Sequence, residues 1–354
     1  MVGFWPQTKE DERLTSAEYS IAGCVSGIFA RALCQPFDVL KIRFQLQLEP
    51  IRKHHAHGKY FGLFQAANTI IKEEGWKSLW KGHMPAQGLS LTYGLIQFLS
   101  YELLTEKAFH VIPEEWSGSA QSRILVSFSC GALSGTLANT VALPFDVIRT
   151  RLVAQGEPKV QCDIMLRQIL IFKLYFIFHN SRHAAKMMFK NEGFASFYRG
   201  LTPALLQIAP YSGLIFSFYE LSQTFWNKFI FDHISNSAND VTKAIVCGGA
   251  AGVAAKSLLY PLDVLKKRLQ VVGFEQARTS FGRTFHYSGF VHCIISTVFQ
   301  EGYTGLYKGF LPSILKAAAS SACGFFFYEQ TCNLFRSLRK RNDNNTVKRE
   351  DENN

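Results

Sequence analysis

The sequence predicts an all-α membrane protein with six transmembrane helices in three pseudo-symmetric two-helix repeats, each with a short helix between its two spans. Two observations support this prediction. A linked pair of motifs occurs three times along the 354 residues, and long segments free of Asp, Glu, Lys and Arg alternate with the polar loops. Because each repeat contributes two crossings, both termini are expected on the same side of a membrane.

The first motif consists of a proline, an acid two residues later, and basic residues five and seven positions after the proline. It occurs at 36–43, 144–151 and 261–268, with prolines 108 and 117 residues apart. A second motif follows each copy: Glu-Gly, then an aromatic residue, a basic residue and a glycine, ending at Gly82, Gly200 and Gly309. Two linked motifs in the same order three times indicate an internal repeat.

These motifs divide the chain into five segments. They are a polar N-terminal tail (1–16), repeat 1 (17–110), repeat 2 (120–230), repeat 3 (238–335) and a polar C-terminal tail (336–354). Repeat 2 is 8 to 10 residues longer than the others between its motif proline and its last motif glycine. The excess falls in an apolar insertion at about 161–180, for which two readings stay open: a membrane-surface helix or translated intron sequence.

Three segments without charged residues cover 82–101, 124–145 and 200–219, which is 20, 22 and 20 residues. About 20 apolar residues cross the hydrocarbon core of a bilayer as a helix. Three further candidate spans, at about 18–43, 241–268 and 310–335, are interrupted by cations. Six such segments leave too little polar sequence to cover them in water. Gly-x-x-x-Gly pairs at 23/27, 131/135 and 248/252 predict close helix packing.

The composition excludes several classes of protein. A formal net charge of +11 favours an anionic partner, such as lipid headgroups or a phosphorylated solute. The sequence contains no motif of interleaved basic and aromatic residues, so we do not expect it to bind nucleic acid. The eight cysteines form no C-x-x-C pair, which argues against a zinc site or a disulfide scaffold. Because no catalytic arrangement stands out in the sequence either, we expect neither an enzyme nor a bound cofactor or metal.

The loops within the repeats are basic. Lys and Arg outnumber Asp and Glu by 8 to 3 over 41–81, by 9 to 3 over 149–199 and by 6 to 2 over 266–308. The loops between repeats, over 102–122 and 220–243, carry more acids than bases. The positive-inside rule therefore predicts that all three intra-repeat loops lie on one side of the membrane.

The tripled P-x-[DE]-x-x-[KR]-x-[KR] with the following [DE]-G-x4-[WYF]-[KR]-G resembles the signature of the mitochondrial carrier family, over about residues 17–335. The resemblance implies a multi-pass solute carrier of the mitochondrial inner membrane, with its termini on the intermembrane-space side and its repeat loops in the matrix. It also implies alternating access gated by salt-bridge networks. As partners we expect a small phosphorylated solute and membrane lipid, with cardiolipin as the candidate lipid. We expect the protein to function as a monomer.

Within that family, the stretches 35–47, 80–87 and 260–270 resemble the members that transport thiamine pyrophosphate. This implies import of thiamine pyrophosphate into the matrix by exchange with a nucleotide or related phosphate. A carrier of nucleotides, coenzyme A or another phosphorylated cofactor stays open as an alternative. A non-transporting membrane scaffold is a more remote one.

The motif prolines Pro36, Pro144 and Pro261 are expected to kink the odd-numbered helices, because each removes a backbone donor. The resemblance implies that the motif charges then form a ring that closes the matrix side and breaks when substrate binds. These inner-ring residues are Asp38, Lys41, Asp146, Arg149, Asp263 and Lys266. The alternative is three local pairs at helix ends. Gln45 and Gln270 are expected to brace the ring, whereas repeat 2 has Val153 at that position.

A second network of the family, [FY]-[DE]-x-x-[KR] on the even-numbered helices, is incomplete here. Its outer-ring residues are Tyr101, Glu102, Tyr219, Glu220, Tyr328 and Glu329. The basic position holds Thr105, Gln223 and Cys332 instead. We therefore expect an outer gate that closes through hydrogen bonds or packing.

Repeat symmetry predicts the substrate contacts between the two rings. These contact residues are Arg31, Asn139 and Lys256 on the odd-numbered helices, and Leu89, Ser90, Gln207, Ile208, Lys316, Ala317, Tyr93 and Tyr211 on the even-numbered ones. Arg31, Lys256 and Lys316 are expected to be mid-membrane cations without carboxylates at their depth. Three such cations suit the binding of a pyrophosphate group. Snorkelling of these cations to an interface is the alternative. The two tyrosines are expected either to stack on a ring of the substrate or to pack within the protein.

Overall fold

The structure is a computed structural model, and it describes residues 15–51, 58–111, 120–155, 181–229, 237–275 and 285–352. In these ranges the chain forms nine α-helices and no strand. They are α1 (Ser16–Leu46), α2 (Leu63–Glu74), α3 (His83–Val111), α4 (Ala120–Ala154), α5 (Ser181–Glu192), α6 (Leu201–Phe229), α7 (Ser237–Gln270), α8 (Phe290–Glu301) and α9 (Phe310–Glu352). The insertion predicted at 161–180 and most of the N-terminal tail lie outside the described residues.

Six of the helices are long, two in each repeat, which confirms the predicted all-α, three-repeat fold. Three segments are long and apolar enough to cross a membrane: Val126–Ala154, Phe194–Trp226 and Tyr303–Arg339. The cations Arg31 and Lys256 lower the mean hydropathy of α1 and α7. The motif prolines lie inside α1, α4 and α7, and each helix continues beyond its proline.

The predicted short helix is present in every repeat, as α2, α5 and α8 of 12 residues each. Each ends at the motif glutamate, and the following glycine has a positive φ of 90°, 77° or 71°. Residues with a Cβ rarely adopt this conformation, so the motif glycine ends the helix. A 3-10 turn then leads to the motif basic residue, over Trp76–Trp80, Phe194–Tyr198 and Tyr303–Tyr307.

The structure divides into two compact units: a large unit of residues 39–312, and a terminal unit of residues 1–38 and 313–354. In the large unit, α3 packs mainly on α4, and α6 on α7, so helices of successive repeats are neighbours. Three apolar clusters lie where α1, α4 and α7 end, each including a buried residue of the short helix in the same repeat: Ile70, Met188 and Cys293. In the terminal unit, Phe29 and Phe327 stack with ring centroids 5.3 Å apart.

Within the large unit, the close packing predicted at the Gly-x-x-x-Gly pairs occurs among the described residues at Gly135 of repeat 2. A Cβ on Gly135 would lie 3.3 Å from Cγ2 of Ile208, so α4 and α6 approach closely there. No described residue lies within 4 Å of the Cβ position of Gly23, Gly27, Gly248 or Gly252. Within the large unit the prediction is therefore wrong at Gly248 and Gly252, because a glycine favours helix contact only where another helix faces it.

Candidate functional site

Two ion pairs of the inner ring join different repeats within the large unit. Lys41 Nζ lies 3.0 Å from Asp263 Oδ2, linking repeat 1 to repeat 3. Lys266 Nζ lies 2.9 Å from Asp146 Oδ2, linking repeat 3 to repeat 2. Both pairs connect separate helices rather than residues three apart on one helix. Arg149, the remaining inner-ring residue of this unit, is buried near the end of α4.

Asp146 binds a second lysine that the sequence reasoning did not assign. Lys267 Nζ donates to Asp146 Oδ1 at 2.7 Å, to Thr150 Oγ1 at 3.0 Å and to Gln270 Oε1 at 3.0 Å. Gln270 in turn donates from Nε2 to Asp146 Oδ2 at 2.9 Å. Both carboxylate oxygens of Asp146 therefore accept charge-assisted hydrogen bonds in a largely dry site.

The two predicted brace residues behave differently. Gln270 contacts an ion pair directly, through Asp146. Gln45 donates instead to the Tyr260 hydroxyl at 3.0 Å, and that hydroxyl donates to the backbone carbonyl of Lys308 at 3.0 Å. The Tyr260 ring also lies under the Lys41 ammonium, 5.8 Å from ring centroid to Nζ. Gln45 therefore reaches the Lys41–Asp263 pair through a tyrosine.

Two contact residues of the even-numbered helices bind inner-ring carboxylates. Gln207 Nε2 donates to Asp263 Oδ1 at 3.0 Å within the large unit. In the terminal unit, Lys316 Nζ lies 2.7 Å from Asp38 Oδ1. The sequence reasoning expected no carboxylate at the depth of Lys316, and it did not foresee the pair with Asp38. Repeat symmetry placed Asp38 at another depth, but the long lysine side chain reaches along the helix to it.

The other contact residues vary in exposure. Asn139 Nδ2 donates to the backbone carbonyl of Ala204 at 3.4 Å, which connects α4 to α6. The Tyr93 hydroxyl lies 3.9 Å from a Cβ built on Gly135, whereas Tyr211 is exposed. Half-buried positions are Arg31, Leu89, Ser90, Ile208 and Lys256, and Ala317 is exposed. Stacking of either tyrosine on a substrate ring stays a prediction.

Each repeat also contains a buried arginine–glutamate pair between its two motifs. Arg43 Nη1 and Nη2 donate to Glu74 Oε1 and Oε2 at 2.6 and 2.8 Å. The equivalent pairs are Arg151 with Glu192 and Arg268 with Glu301. The motif basic residues add a second cation to each glutamate: Lys81, Arg199 and Lys308. The recurrence of Arg as the last residue of the first motif and of Glu as the first residue of the second was the sequence signal for these pairs, which the sequence reasoning passed over.

Each of these arginines also crosses to another repeat through its Nε. The acceptors are the backbone carbonyls of the residues nine after the motif prolines: Val153 for Arg43 at 3.3 Å, Gln270 for Arg151 at 3.0 Å and Gln45 for Arg268 at 3.2 Å. The three contacts run from repeat 1 to 2, from 2 to 3 and from 3 to 1. The arginines therefore hold the inner ends of the odd-numbered helices in a closed cycle.

Burial and charge set the ionisation of the groups around Arg43, which lie in the loop outside the membrane spans. Burial raises the pKa of the Tyr60 hydroxyl to about 12, although the neighbouring Arg43 favours the phenolate. For Glu74, burial raises the pKa, but hydrogen bonds and charge from Arg43 and Lys81 outweigh it and lower the pKa below its ordinary value. Glu74 is therefore a carboxylate at neutral pH.

The last glycine of each second motif lies against the odd-numbered helix of another repeat. A Cβ on Gly82 would lie 3.2 Å from the Arg149 carbonyl oxygen, one on Gly200 3.0 Å from that of Lys266, and one on Gly309 2.9 Å from that of Lys41. All three glycines have a positive φ. These positions need glycine both for backbone conformation and for space beside the inner-ring lysines and arginine.

The outer-ring residues form no comparable network in the part of the chain that the structure describes. No ion pair to Glu102, Glu220 or Glu329 occurs among the described residues, and all three are exposed. The tyrosines Tyr101 and Tyr328 are exposed as well, while Tyr219 is half-buried. The inner ring is therefore bonded while the outer acids lack a described cation.

Three repeats of a known family were found by comparison. A family model described as mitochondrial carrier protein matches residues 12–110, 120–229 and 237–338. The match covers most of the chain, and each of its three parts contains one copy of both motifs.

Curated relatives resemble the chain over nearly its whole length. A protein of Macaca fascicularis named mitochondrial thiamine pyrophosphate carrier is 42% identical over 340 residues, which cover 96% of this chain and 98% of that protein. The protein of the same name from Homo sapiens is also 42% identical, with the same coverage. A protein of Zea mays named mitochondrial thiamine diphosphate carrier 1 is 35% identical over 88% of this chain and 91% of its own length.

Proposed function

Since the chain belongs to the mitochondrial carrier family, we propose that it imports thiamine pyrophosphate into the mitochondrial matrix in exchange for a nucleotide or related phosphate. The names of the curated relatives support this substrate. Family membership also makes the chain a multi-pass protein of the mitochondrial inner membrane and a transporter rather than an enzyme.

The observation that carries the proposal is the ion pair between Lys316 and Asp38. It joins a contact residue to an inner-ring residue at 2.7 Å, within the terminal unit. A pyrophosphate offers Lys316 several anionic oxygens that compete with the Asp38 carboxylate. When Lys316 turns to the phosphate, Asp38 loses this cation. Binding energy for the substrate then favours opening of the inner ring, as required for a solute that shifts a conformational equilibrium.

A similar exchange of partners is available at Gln207 in the large unit. Its amide nitrogen donates to Asp263, which also accepts from Lys41. A substrate that accepts a hydrogen bond from Gln207 withdraws one donor from this carboxylate. Leu89 holds the equivalent position in repeat 1 and has no polar group to donate. Each unit therefore contains one inner-ring carboxylate whose donor a substrate can withdraw.

The test is exchange by the purified protein in proteoliposomes. Labelled thiamine pyrophosphate is supplied outside, with thiamine pyrophosphate, ADP or no solute inside. Thiamine, thiamine monophosphate, ADP and coenzyme A are then compared as external competitors. We expect thiamine pyrophosphate to give the highest kcat/KM and to need an internal counter-solute. Preferred transport of ADP or coenzyme A would instead identify a carrier of nucleotides or of that cofactor, and no exchange of any solute would favour a scaffold.

We also propose that the termini face the intermembrane space and that the repeat loops face the matrix. The excess of Lys and Arg in all three intra-repeat loops supports this orientation. A protease added to intact mitoplasts should remove a tag at the C-terminus and leave a site engineered into the loop before α2 uncut. The reverse pattern would contradict the orientation.

A further inference from the structure

The three repeats differ at the position that follows the inner-ring cation. Repeat 1 has Ile42 and repeat 2 has Thr150, whereas repeat 3 has Lys267. Ile42 is buried in an apolar cluster, and Thr150 is buried as well. The fold therefore accepts residues without charge at this position. A buried lysine is costly unless its charge is compensated, so Lys267 depends on the partners that surround it.

All three protons of the Lys267 ammonium group are donated in hydrogen bonds where repeat 3 meets repeat 2, a contact that we call the Asp146 junction. The acceptors are Asp146, Thr150 and Gln270. Asp146 also binds Lys266 on its other oxygen. Two cations of one repeat therefore share one carboxylate of another.

The junction between repeats 3 and 1 has fewer bonds. Asp263 is bound there by a single lysine, Lys41, among the described residues, with Gln207 as the second donor. The Asp263 side chain is 20% exposed, against 7% for Asp146. Ion pairs in a drier site are screened less by water, so the Asp146 junction is the stronger of the two.

We propose that Lys267 is a positioning residue that holds Asp146 against repeat 3. As a result, the two junctions of the inner ring separate one after the other. The Lys41–Asp263 junction separates first, and the Asp146 junction separates later and limits the rate of opening. Lys267 acts through Asp146 and does not touch the solute. This inference rests on the proposed transport function, since it explains how fast the ring opens during exchange.

The test compares Lys267→Thr, which installs the residue that repeat 2 carries, with Lys267→Arg, which keeps the charge. The Lys267 bonds to Asp146 and Thr150 exist only while the junction is closed, so removing them should speed opening. We expect Lys267→Thr to raise kcat of exchange by about tenfold, the rate factor of one charge-assisted hydrogen bond. The KM should change less than about twofold, because the residue does not contact the solute. Lys267→Arg should stay within about twofold of the native protein in kcat.

A second readout needs no transported solute. In detergent and without solute, Lys267→Thr should have a lower melting temperature than the native protein. The control Lys190→Thr, on the exposed face of α5, should have the native melting temperature. If the native protein exchanges nothing, the proposed function fails while the melting comparison still tests the role of Lys267. A Lys267→Thr variant with unchanged or lowered kcat, or with a shift in KM as large as that in kcat, would overturn the inference. An unchanged melting temperature of Lys267→Thr would also overturn the inference.

Discussion

Arg268 Nε donates to the backbone carbonyl of Gln45 at 3.2 Å, which ties the third repeat back to the first. The equivalent contacts of Arg43 and Arg151 make a cycle of the three repeats. Because the acceptors are backbone carbonyls, this cycle does not depend on which side chain follows the motif. The ion pairs of the inner ring lie beside it and do depend on side chains. The structure thus separates contacts that hold the helix ends together from contacts that a solute can break.

The first prediction concerns the Lys41–Asp263 junction. Asp263→Asn leaves Lys41 without its carboxylate, whereas Lys267→Thr leaves Asp146 paired with Lys266. The unpaired cation destabilises the closed ring that must form again in every cycle, so Asp263→Asn should lower the exchange rate. The double variant Lys41→Asp/Asp263→Lys restores an ion pair across the same junction. Its initial rate of exchange in proteoliposomes should exceed that of either single variant. Equal rates in the native protein and in Asp263→Asn would show that this pair does not gate.

Loss of the buried arginine in repeat 1 should destabilise the protein. Arg43 is 1% exposed and binds Glu74, Tyr60 and the carbonyl of Val153. Arg43→Met leaves a buried carboxylate with Lys81 as its cation, and we expect a loss of about 3 kcal/mol in unfolding free energy. Thermal melting in detergent measures this. Arg182→Met, on the exposed face of α5, is the control and should melt with the native protein.

The two motif glycines of repeat 2 allow backbone strain to be separated from steric contact. Gly193 and Gly200 have φ values of 77° and 82°, but only Gly200 faces another chain segment, the Lys266 carbonyl. Gly193→Ala should cost about 1–2 kcal/mol in stability, the cost of a positive φ for a residue with a Cβ. Gly200→Ala should cost more and should also slow exchange, because it presses on the backbone of Lys266. Melting temperature and exchange rate are compared for both, and equal losses would exclude the steric effect.

Acid should weaken the protein partly through Glu74. Its pKa in the folded protein is lowered, because the hydrogen bonds and charges of Arg43 and Lys81 outweigh the effect of burial. The stabilisation is complete above the ordinary glutamate pKa of 4.5 and disappears as the pH falls through the folded value. Unfolding free energy should therefore decline below about pH 4.5. Glu74→Gln should flatten this decline, and Glu73→Gln, at an exposed position, should not.

Much of the fold followed from the repeated motifs. The tripled motifs and the long segments almost free of charged residues predicted the six long helices and one short helix in each repeat. Charge at repeat-equivalent positions identified four residues that form ion pairs between repeats: Lys41, Asp146, Asp263 and Lys266. The pattern is informative there because a position along a helix fixes its depth.

The partners of individual side chains were less predictable. No carboxylate was expected at the depth of Lys316, and neither its pair with Asp38 nor the second lysine on Asp146 was foreseen. Sequence spacing gives the height of a Cα, but a lysine side chain spans more than one helical turn. The doubled lysine of repeat 3, Lys266-Lys267, was a visible departure from the other two motifs. Comparing the repeats position by position would have identified it.

The last prediction tests the role of Lys316 at the junction of solute binding and gating. Lys316→Met removes a cation that donates to Asp38 and, in the proposed function, to a phosphate oxygen of the solute. Loss of one charge-assisted hydrogen bond, worth about 1.5–3 kcal/mol, should raise the KM for thiamine pyrophosphate by about tenfold to a hundredfold. Lys316→Arg should retain more function, although its fork differs in shape. Lys77→Met, an exposed loop substitution, should leave the KM unchanged.

Because Lys316 also holds Asp38, Lys316→Met should leak labelled solute without internal counter-solute, whereas Lys77→Met should not. A KM equal to the native value together with tight coupling would show that Lys316 serves neither the solute nor the ring.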